Sequence, residues 1–471
     1  MTASRAVHAV TNDALGDLDA VGVAAAIAGG SISAREAAEA AVARIDAVND
    51  RLNAIQHPDL DRALEQSLTP TPGILSGVPS IVKDNTRVVG LPTDMGSLAM
   101  RSRPATADDP FTAQFRSIGL GILGKSTMPE FGFNASTEYA TVAPTRNPWN
   151  TGYSAGGSSG GSAALVASGA LPIAHANDGG GSIRIPAAAC GLVGLKPTRN
   201  RVVPAAESAT MPVDIVSNGV VTRTVRDTAH FMAGTQQFAP AKGMVPLGLV
   251  EGPSDRRLRV GVVMHSVTGI DTDADGQRAV TDAVDLLASL GHHVTEVPLP
   301  VDEKFMEAFK HYWALLAFST QNFGKRVMHS PDFDKSLTDG LTQGLSTSFL
   351  RQAWRLPLTI RTLKQSERQY RDAFTDVDVI VSPTLGFVTP PLGFLNPAAG
   401  FQEHFDRLIQ YAAFTPLNNA SGGPAISLPL STSTAGMPVG VHISATHGDE
   451  QTLLELAYEL EAARPFRTIW R

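Results

Sequence analysis

The sequence predicts an α/β fold, a parallel sheet covered by helices, on three observations. Residues 257–263 (RLRVGVV) read as a buried strand, 274–290 as a helix closed by Gly291, and the stretch around Val294 as the next strand. That strand–helix–strand rhythm is the mark of parallel pairing. Further apolar, β-branched runs recur at 377–381, 425–428 and 439–444. Hydrophobic residues make up 43% of the 471-residue chain and charged ones 18%, enough for a large core and too little charge for disorder. Length alone suggests about three domains. With no internal repeat, the expectation is instead one large α/β domain over residues 1–471.

Taken in order, residues 1–70 read as a helical region. An Ala- and Val-rich helix over 18–27 stops at Gly29 and Gly30. Ser33 opens a second helix, and Glu36 three residues on completes a capping box. Ala37, Ala41, Ile45 and Val48 form its apolar stripe. Residues 75–83 look extended, bent at Gly77 and Pro79, with a helix over 111–118 and a short strand over 121–123. Residues 236–257, with Pro and Gly and little periodicity, read as a surface connection. Residues 302–375, richer in aromatic and basic side chains, read as a helical elaboration, and 450–463 as a closing helix. The 302–375 segment and the 127–145 loop are expected to line the mouth of a pocket.

Composition narrows the function. Lys plus Arg (38) against Asp plus Glu (45) gives −7, with no long basic block, which argues against nucleic acid. The single cysteine, Cys190, excludes an intrachain disulfide and a cysteine-built zinc site. No His-Glu-x-x-His or similar spacing occurs, so neither metal nor cofactor is expected. No apolar run reaches the ~18 residues of a membrane span. Asp13, Asp17 and Asp19 interrupt residues 1–21, where a secretion signal needs its apolar stretch. A cytoplasmic protein is the expectation.

Three motifs are set aside. Gly119-Leu-Gly-Ile-Leu-Gly124-Lys125-Ser126 satisfies the phosphate-loop pattern, which needs a strand before it and a helix starting at the lysine. Here a helix precedes it, and Pro129 follows four residues after the lysine. Gly157-Ser158-Ser159-Gly160-Gly161 satisfies the nucleophile-elbow pattern, which needs a preceding strand and a later acid and histidine. Residues 150–155 do not read as a strand. His175 lies seven residues before Ser182, yet a lone histidine in an apolar run is more often a hydrogen-bonded core residue than a base.

What remains has three parts. Lys83, in Gly77-Val-Pro-Ser-Ile-Val-Lys83-Asp84-Asn85, follows Ile81 and Val82 and so falls at the end of a buried strand. Lost hydration there favours the neutral amine, a usable base, although an isolated lysine after a strand is by default a surface residue. The second part is Gly156-Gly157-Ser158-Ser159-Gly160-Gly161, within a stretch, 154–170, where 15 of 17 residues are Gly, Ala or Ser. No charged residue follows until Asp178, so the stretch reads as close backbone packing rather than a linker. The third is Asn177-Asp178-Gly179-Gly180-Gly181-Ser182-Ile183-Arg184-Ile185-Pro186. Three glycines before a serine let backbone N–H groups converge on one point, an oxyanion hole if a carbonyl sits there. Alone, each Gly/Ser loop is as well read as a turn or a helix start.

Together and in this order the three segments resemble the amidase signature family, over residues 33 to about 465. GGSSGGSAA and NDGGGSIRIPAAACGLVGLKPT carry the likeness most strongly, with GKSTMPEF, RNPWN, DVIVSPT and FTPLNNASGGPAISLP beside them. The resemblance implies a single α/β/α domain with a large, mostly parallel mixed sheet. It also implies a Ser–cis-Ser–Lys triad: Ser182 as nucleophile, Ser158 as bridging serine after a cis Gly157–Ser158 bond, and Lys83 as base. Gly179, Gly180, Gly181 and Ser182 would supply the oxyanion N–H groups, and Asp178 and Arg184 would brace the loop. The activity implied is hydrolysis of carboxylic amides through an acyl-enzyme, with aryl carbamates (urethanes) and esters as further substrates. The partner is a small-molecule amide or carbamate, with neither nucleic acid nor membrane, and a homodimer is left open.

This sequence departs from the family's frequent Gly-Thr-Asp-Thr-Gly-Gly-Ser in reading Ala176-Asn177-Asp178-Gly179-Gly180-Gly181-Ser182. That form resembles a bacterial subgroup with nylon-dimer hydrolases, amidases and urethanases. Cyclic-amide hydrolysis is one alternative, although the assisting cysteine of the nylon-dimer enzymes has no counterpart. The catalytic subunit of a tRNA-dependent amidotransferase is another.

Overall fold

The N-terminal helices follow their local signals. Ser33 Oγ accepts from Glu36 N–H, and the Glu36 carboxylate accepts from Ser33 N–H, so the capping box on Ala34–Leu52 is complete. Ala37, Ala41, Ile45 and Val48 are buried on one face. Helices Ala20–Ala28 and Leu60–Gln66 flank it. The region is not wholly helical: Ile55–Pro58 is a strand, too short for its period to show, and it forms against a partner distant in sequence. The computed structural model describes residues 6–205, 208 and 210–471. The first five residues of the expected helical region lie outside these.

In chain order the strands are β1 Ile55–Pro58, β2 Pro79–Lys83, β3 Gly121–Ser126, β4 Arg146–Asn147, β5 Asn150–Ser154, β6 Ile173–Asp178, β7 Val193–Lys196, β8 Ser217–Thr222, β9 Arg259–Val262, β10 His293–Glu296, β11 Val379–Pro383, β12 Ala425–Thr432 and β13 Pro438–Ala445. They form an eight-stranded sheet in the order β10-β9-β11-β13-β12-β7-β8-β6, a three-stranded sheet β1-β3-β2 and a hairpin β4-β5. The predicted rhythm holds: β9, helix Ala274–Ser289 and β10 make a parallel unit, and β11 joins β9 in parallel. This is the expected mixed α/β sheet, with one correction to its balance. In the large sheet parallel neighbours are confined to that end, and the other pairs are antiparallel. A parallel pair needs a crossover of a dozen or more residues, whereas β12 and β13 are joined by a short turn that permits only a hairpin.

The core lies where helices cover this sheet. Val260, Val381, Ile426 and Val441 from the strands meet Leu165, Val280 and Leu454 from the helices. The closing helix, Glu450–Ala463, falls where its pattern predicts. Residues 302–375 form helices Glu303–Val327, Gly340–Gln352 and Leu356–Asp372. With helix Phe401–Tyr411 they build an aromatic cluster holding Phe133, Phe333, Phe349 and Phe405. No helix among the described residues is long and apolar enough to cross a membrane.

The Gly/Ala/Ser stretch packs closely, as its composition suggests. After β5 it turns into helix Gly160–Ala167, every residue of which is buried. A Cβ on Gly157 would lie 2.8 Å from Ala135 C and Asn134 O, and one on Gly161 2.7 Å from Ala54 O. Only glycine fits such approaches.

Candidate active site

The site is built on the seam where β2 lies against β6. Ser80 Oγ donates to Ile173 O at 2.8 Å, and Lys83 N–H donates to His175 Nδ1 at 3.1 Å. His175 Nε2 faces Asn218 Oδ1 at 3.4 Å, and its ring packs on Phe111 with centroids 4.5 Å apart. Burial pushes the imidazole pKa down to about 3, so the ring is neutral and Nδ1 can accept. Both ring nitrogens are spent on this joint between sheets, which leaves His175 the core role that its apolar setting suggests.

At the end of β2 the Lys83 side chain is fully buried. Its Nζ lies 2.7 Å from Ser158 Oγ and 2.6 Å from Asn177 Oδ1. Ser158 follows a cis Gly157–Ser158 peptide bond. Ser182, 7% exposed, lines a cleft together with Gly132 and Gly180. A Cβ on Gly132 would stand 3.1 Å from Ser158 Oγ, so Ser158 lies directly beside that lining glycine. Lys83 and Ser158 are therefore in direct contact. Among the described residues no hydrogen bond joins Ser158 to Ser182. An amine touching a hydroxyl can exchange a proton with it, and a second hydroxyl nearby can extend the exchange.

The loop that carries Ser182 is held from both sides. Asp178 Oδ1 accepts from Gly181 N–H at 2.7 Å and from Asn419 Nδ2 at 2.9 Å, and Oδ2 accepts from Ile183 N–H at 3.2 Å. Arg184 binds both oxygens and also reaches Asn418, Asn419 and His442 Nε2. Burial pushes the Asp178 carboxyl up, but the Arg184 charge and its hydrogen bonds outweigh burial and hold it well below the usual carboxylate range. Burial and the Arg184 charge keep His442 neutral, its Nε2 free to accept from Arg184. Thr415 Oγ1 donates to Gly180 O at 2.6 Å. Asp178 and Arg184 thus stand where a brace is expected. Of the four N–H groups expected at an oxyanion hole, that of Gly181 donates to Asp178 Oδ1 in this structure.

The cleft lining is mostly apolar, with Asn134 and Ser182 among its polar members. Gly132 to Ala135 form one wall, and Met306, Phe309 and Trp313 another, the two segments expected at its mouth. Phe309 and Trp313 stack at 5.8 Å with planes 21° apart, and Trp313 Nε1 donates to Phe133 O at 3.2 Å. Leu408, Ile409, Ala412 and Pro416 complete the lining. Nothing in their local pattern marks them as cleft residues, since the amphipathic helix Phe401–Tyr411 is ordinary by itself. A Cβ on Gly179 would meet Val216 at 3.5 Å and Trp313 at 3.9 Å, so a side chain there would extend toward this wall.

The motifs set aside resolve as follows. Lys125 sits within β3, not at a helix start, and its Nζ pairs with Asp84 at 2.8 Å, both fully buried. The phosphate-loop pattern is thus a strand. Contrary to expectation a strand, β5, does precede Gly157. The pattern still fails, as Ser158 Oγ meets a lysine amine and not an imidazole. Cys190 is buried, donates to Ala155 O and has its thiol pushed up by burial. Asn177 and the Asn418–Asn419 pair are the polar residues that motif reading left without a role. Their only sequence signal is that they fall inside the quoted blocks.

The family described as Amidase matches residues 36–454. AmiC of Mycobacterium leprae, whose name classes it with the amidases, is 45% identical over 464 residues, 98% of each chain. The 6-aminohexanoate-cyclic-dimer hydrolase of Paenarthrobacter ureafaciens is 34% identical over 477 residues, 95% of each chain. Among solved structures, a bacterial aryl acylamidase of the amidase signature family superposes with a TM-score of 0.85 at 25% identity, over 95% of this chain and 96% of that one.

Proposed function

Because the chain belongs to the amidase signature family, hydrolases of amide C–N bonds, we propose that it cleaves carboxylic amides through an acyl-enzyme on Ser182. Lys83, as the neutral amine, takes a proton from Ser158 while Ser158 takes one from Ser182. Ser182 Oγ attacks the carbonyl carbon, and the N–H groups of Gly179, Gly180 and Ser182 face the developing oxyanion. The proton returns along the same path to the leaving amine as the C–N bond breaks. Water then repeats the sequence on the ester, releasing the acid and restoring Ser182.

The observation that carries this reading is the 2.7 Å contact between Lys83 Nζ and Ser158 Oγ, made in a fully buried setting where an ammonium is disfavoured. Ser182 in the lining of a mostly apolar cleft supports acyl groups with aromatic or branched carbon skeletons, and the likeness to an aryl acylamidase agrees. Aryl carbamates and esters present the same carbonyl and are further substrates. A panel of para-nitroanilides, aliphatic amides and aryl carbamates tests the proposal. Ser182→Ala should abolish turnover, and Lys83→Ala should lower it by on the order of 10³-fold or more. Wild-type rates in Lys83→Ala would refute the base assignment.

A further inference from the structure

Lys83 Nζ makes a second side-chain contact besides Ser158. Asn177, the penultimate residue of β6, sets its Oδ1 2.6 Å from Lys83 Nζ, closer than Ser158 at 2.7 Å. We propose that Asn177 is the positioning residue of the base: its amide oxygen holds one N–H of the Lys83 amine so that the lone pair faces Ser158. The inference rests on the reading of Lys83 as the proton acceptor.

An amide oxygen only accepts, so Nζ must donate to it. A neutral amine has two hydrogens and one lone pair in tetrahedral directions. Once one hydrogen is committed to Asn177, rotation about the Cε–Nζ bond is restricted. The lone pair can then rest on the Ser158 hydroxyl instead of sampling three orientations. The identity of the acceptor matters as well as its place. A carboxylate at 2.6 Å would favour the ammonium, which has no lone pair to offer, whereas an uncharged amide accepts without stabilising the charge as strongly. Asn177 therefore holds the amine without locking it in the protonated form.

The position is set by the sheet. β6 pairs with β8 through Asn177 opposite Asn218, and β2 is fastened to β6 by Ser80 and His175. Both ends of the Asn177–Lys83 contact are thus on strands rather than loops, which gives the precision a proton-transfer geometry needs. Titratable groups on the elements packed about Lys83 are themselves neutral or paired. His175 on β6 is neutral, Asp84 next in the chain and Lys125 on β3 are paired with each other, and Asp178 next to Asn177 is paired with Arg184. A carboxylate at position 177 would place a negative charge directly on Nζ.

The test compares Asn177→Asp and Asn177→Leu, both close to asparagine in size, with Lys83→Ala. The readouts are the pH profile of kcat/KM on a para-nitroanilide and the rate of Ser182 labelling by phenylmethanesulfonyl fluoride. In Asn177→Asp the acid limb of both profiles should move upward by about one to three pH units, with activity recovering at high pH. Asn177→Leu should lower kcat and the labelling rate by about tenfold or more at every pH, with KM nearly unchanged. Profiles of Asn177→Asp that superpose on wild type, with Lys83→Ala inactive, would overturn the positioning role and leave the base assignment standing. Wild-type turnover in Lys83→Ala would overturn both. Should Asn177→Asp not fold, the leucine variant decides: labelling at the wild-type rate refutes the proposal.

Discussion

Arg184 grips both carboxylate oxygens of Asp178, Nε to Oδ2 and Nη2 to Oδ1, each at 2.9 Å, and Ser182 lies between the two residues in the chain. The loop is thereby closed on itself by a fully buried ion pair. Both partners are further satisfied, Asp178 by backbone N–H groups and Asn419, Arg184 by Asn418, Asn419 and His442. Such saturation makes a buried pair tolerable, since each unmet hydrogen bond would add to the cost of desolvation.

Arg184→Met should therefore be strongly destabilising. It leaves a buried carboxylate without its counter-charge, a change that costs about 3–5 kcal/mol. Urea unfolding of the variant would show the loss as a lower midpoint. A midpoint within error of wild type would mean that the Asp178 charge is met by other groups.

Ser158→Ala separates relay from nucleophile. On the proposed relay Ser182 keeps its hydroxyl but loses the path to Lys83, so labelling by a sulfonyl fluoride should slow by roughly 10²–10⁴-fold, the usual scale of general-base assistance. The label should still map to Ser182. Labelling at an unchanged rate would show that Ser182 is activated by another route.

Trp313→Ala opens the wall where Trp313 stacks on Phe309. For anilides with a large acyl group the expected change is about tenfold in kcat/KM, carried mostly by KM, as about 1.4 kcal/mol of apolar contact is lost. Acetyl anilides, which do not reach that wall, should change little. A uniform loss across the series would place acyl groups elsewhere.

Gly161→Ala tests the close packing of the glycine stretch. Its new methyl would meet Thr127 and Ala54 O, the latter at 2.7 Å. Overpacking of this kind costs about 1–3 kcal/mol. The thermal midpoint should fall without any change in kcat for the protein that remains folded.

Lys196 makes the stability depend on pH. Burial, with the Arg184 charge adding to it, pushes the Lys196 pKa down to about 7 in the folded protein, below the ordinary value of 10.5. The folded state then binds fewer protons than the unfolded one between those values, so this group's contribution to stability rises with pH. It is fully present above about 10.5 and lost as pH falls through about 7. Lys196→Met should flatten that slope relative to wild type, although it also removes hydrogen bonds to Pro197 O and Ser217 Oγ. Thermal midpoints of the two proteins at pH 7 and pH 9 give the comparison. Parallel slopes would mean that Lys196 stays charged when buried.

Much of this is local and is written in the chain. The capping box at Ser33 needs only four consecutive residues, and the closing helix, Glu450–Ala463, only its own apolar period. The parallel unit of β9 and β10 follows from one strand–helix–strand rhythm. The glycines at 157 and 161 announce backbone contact by composition, though not with what. Lys83, Ser158 and Ser182 could be singled out because the three segments that hold them, together and in order, resemble the amidase signature family; alone, each reads as well as a surface lysine or a turn. Asn177, Thr415, the Asn418–Asn419 pair and the cleft residues of helix Phe401–Tyr411 carry no such signal. Their roles arise from contacts across more than 90 positions in the case of Asn177 with Lys83, and 235 in that of Thr415 with Gly180. Local propensity reaches about as far as one helix or one turn, so it could fix the elements and the residue types able to do chemistry. Which side chains gather around Lys83 and Ser182, and what lines the cleft beside them, are decided by distances between strands. Those distances exist only once the sheets have come together.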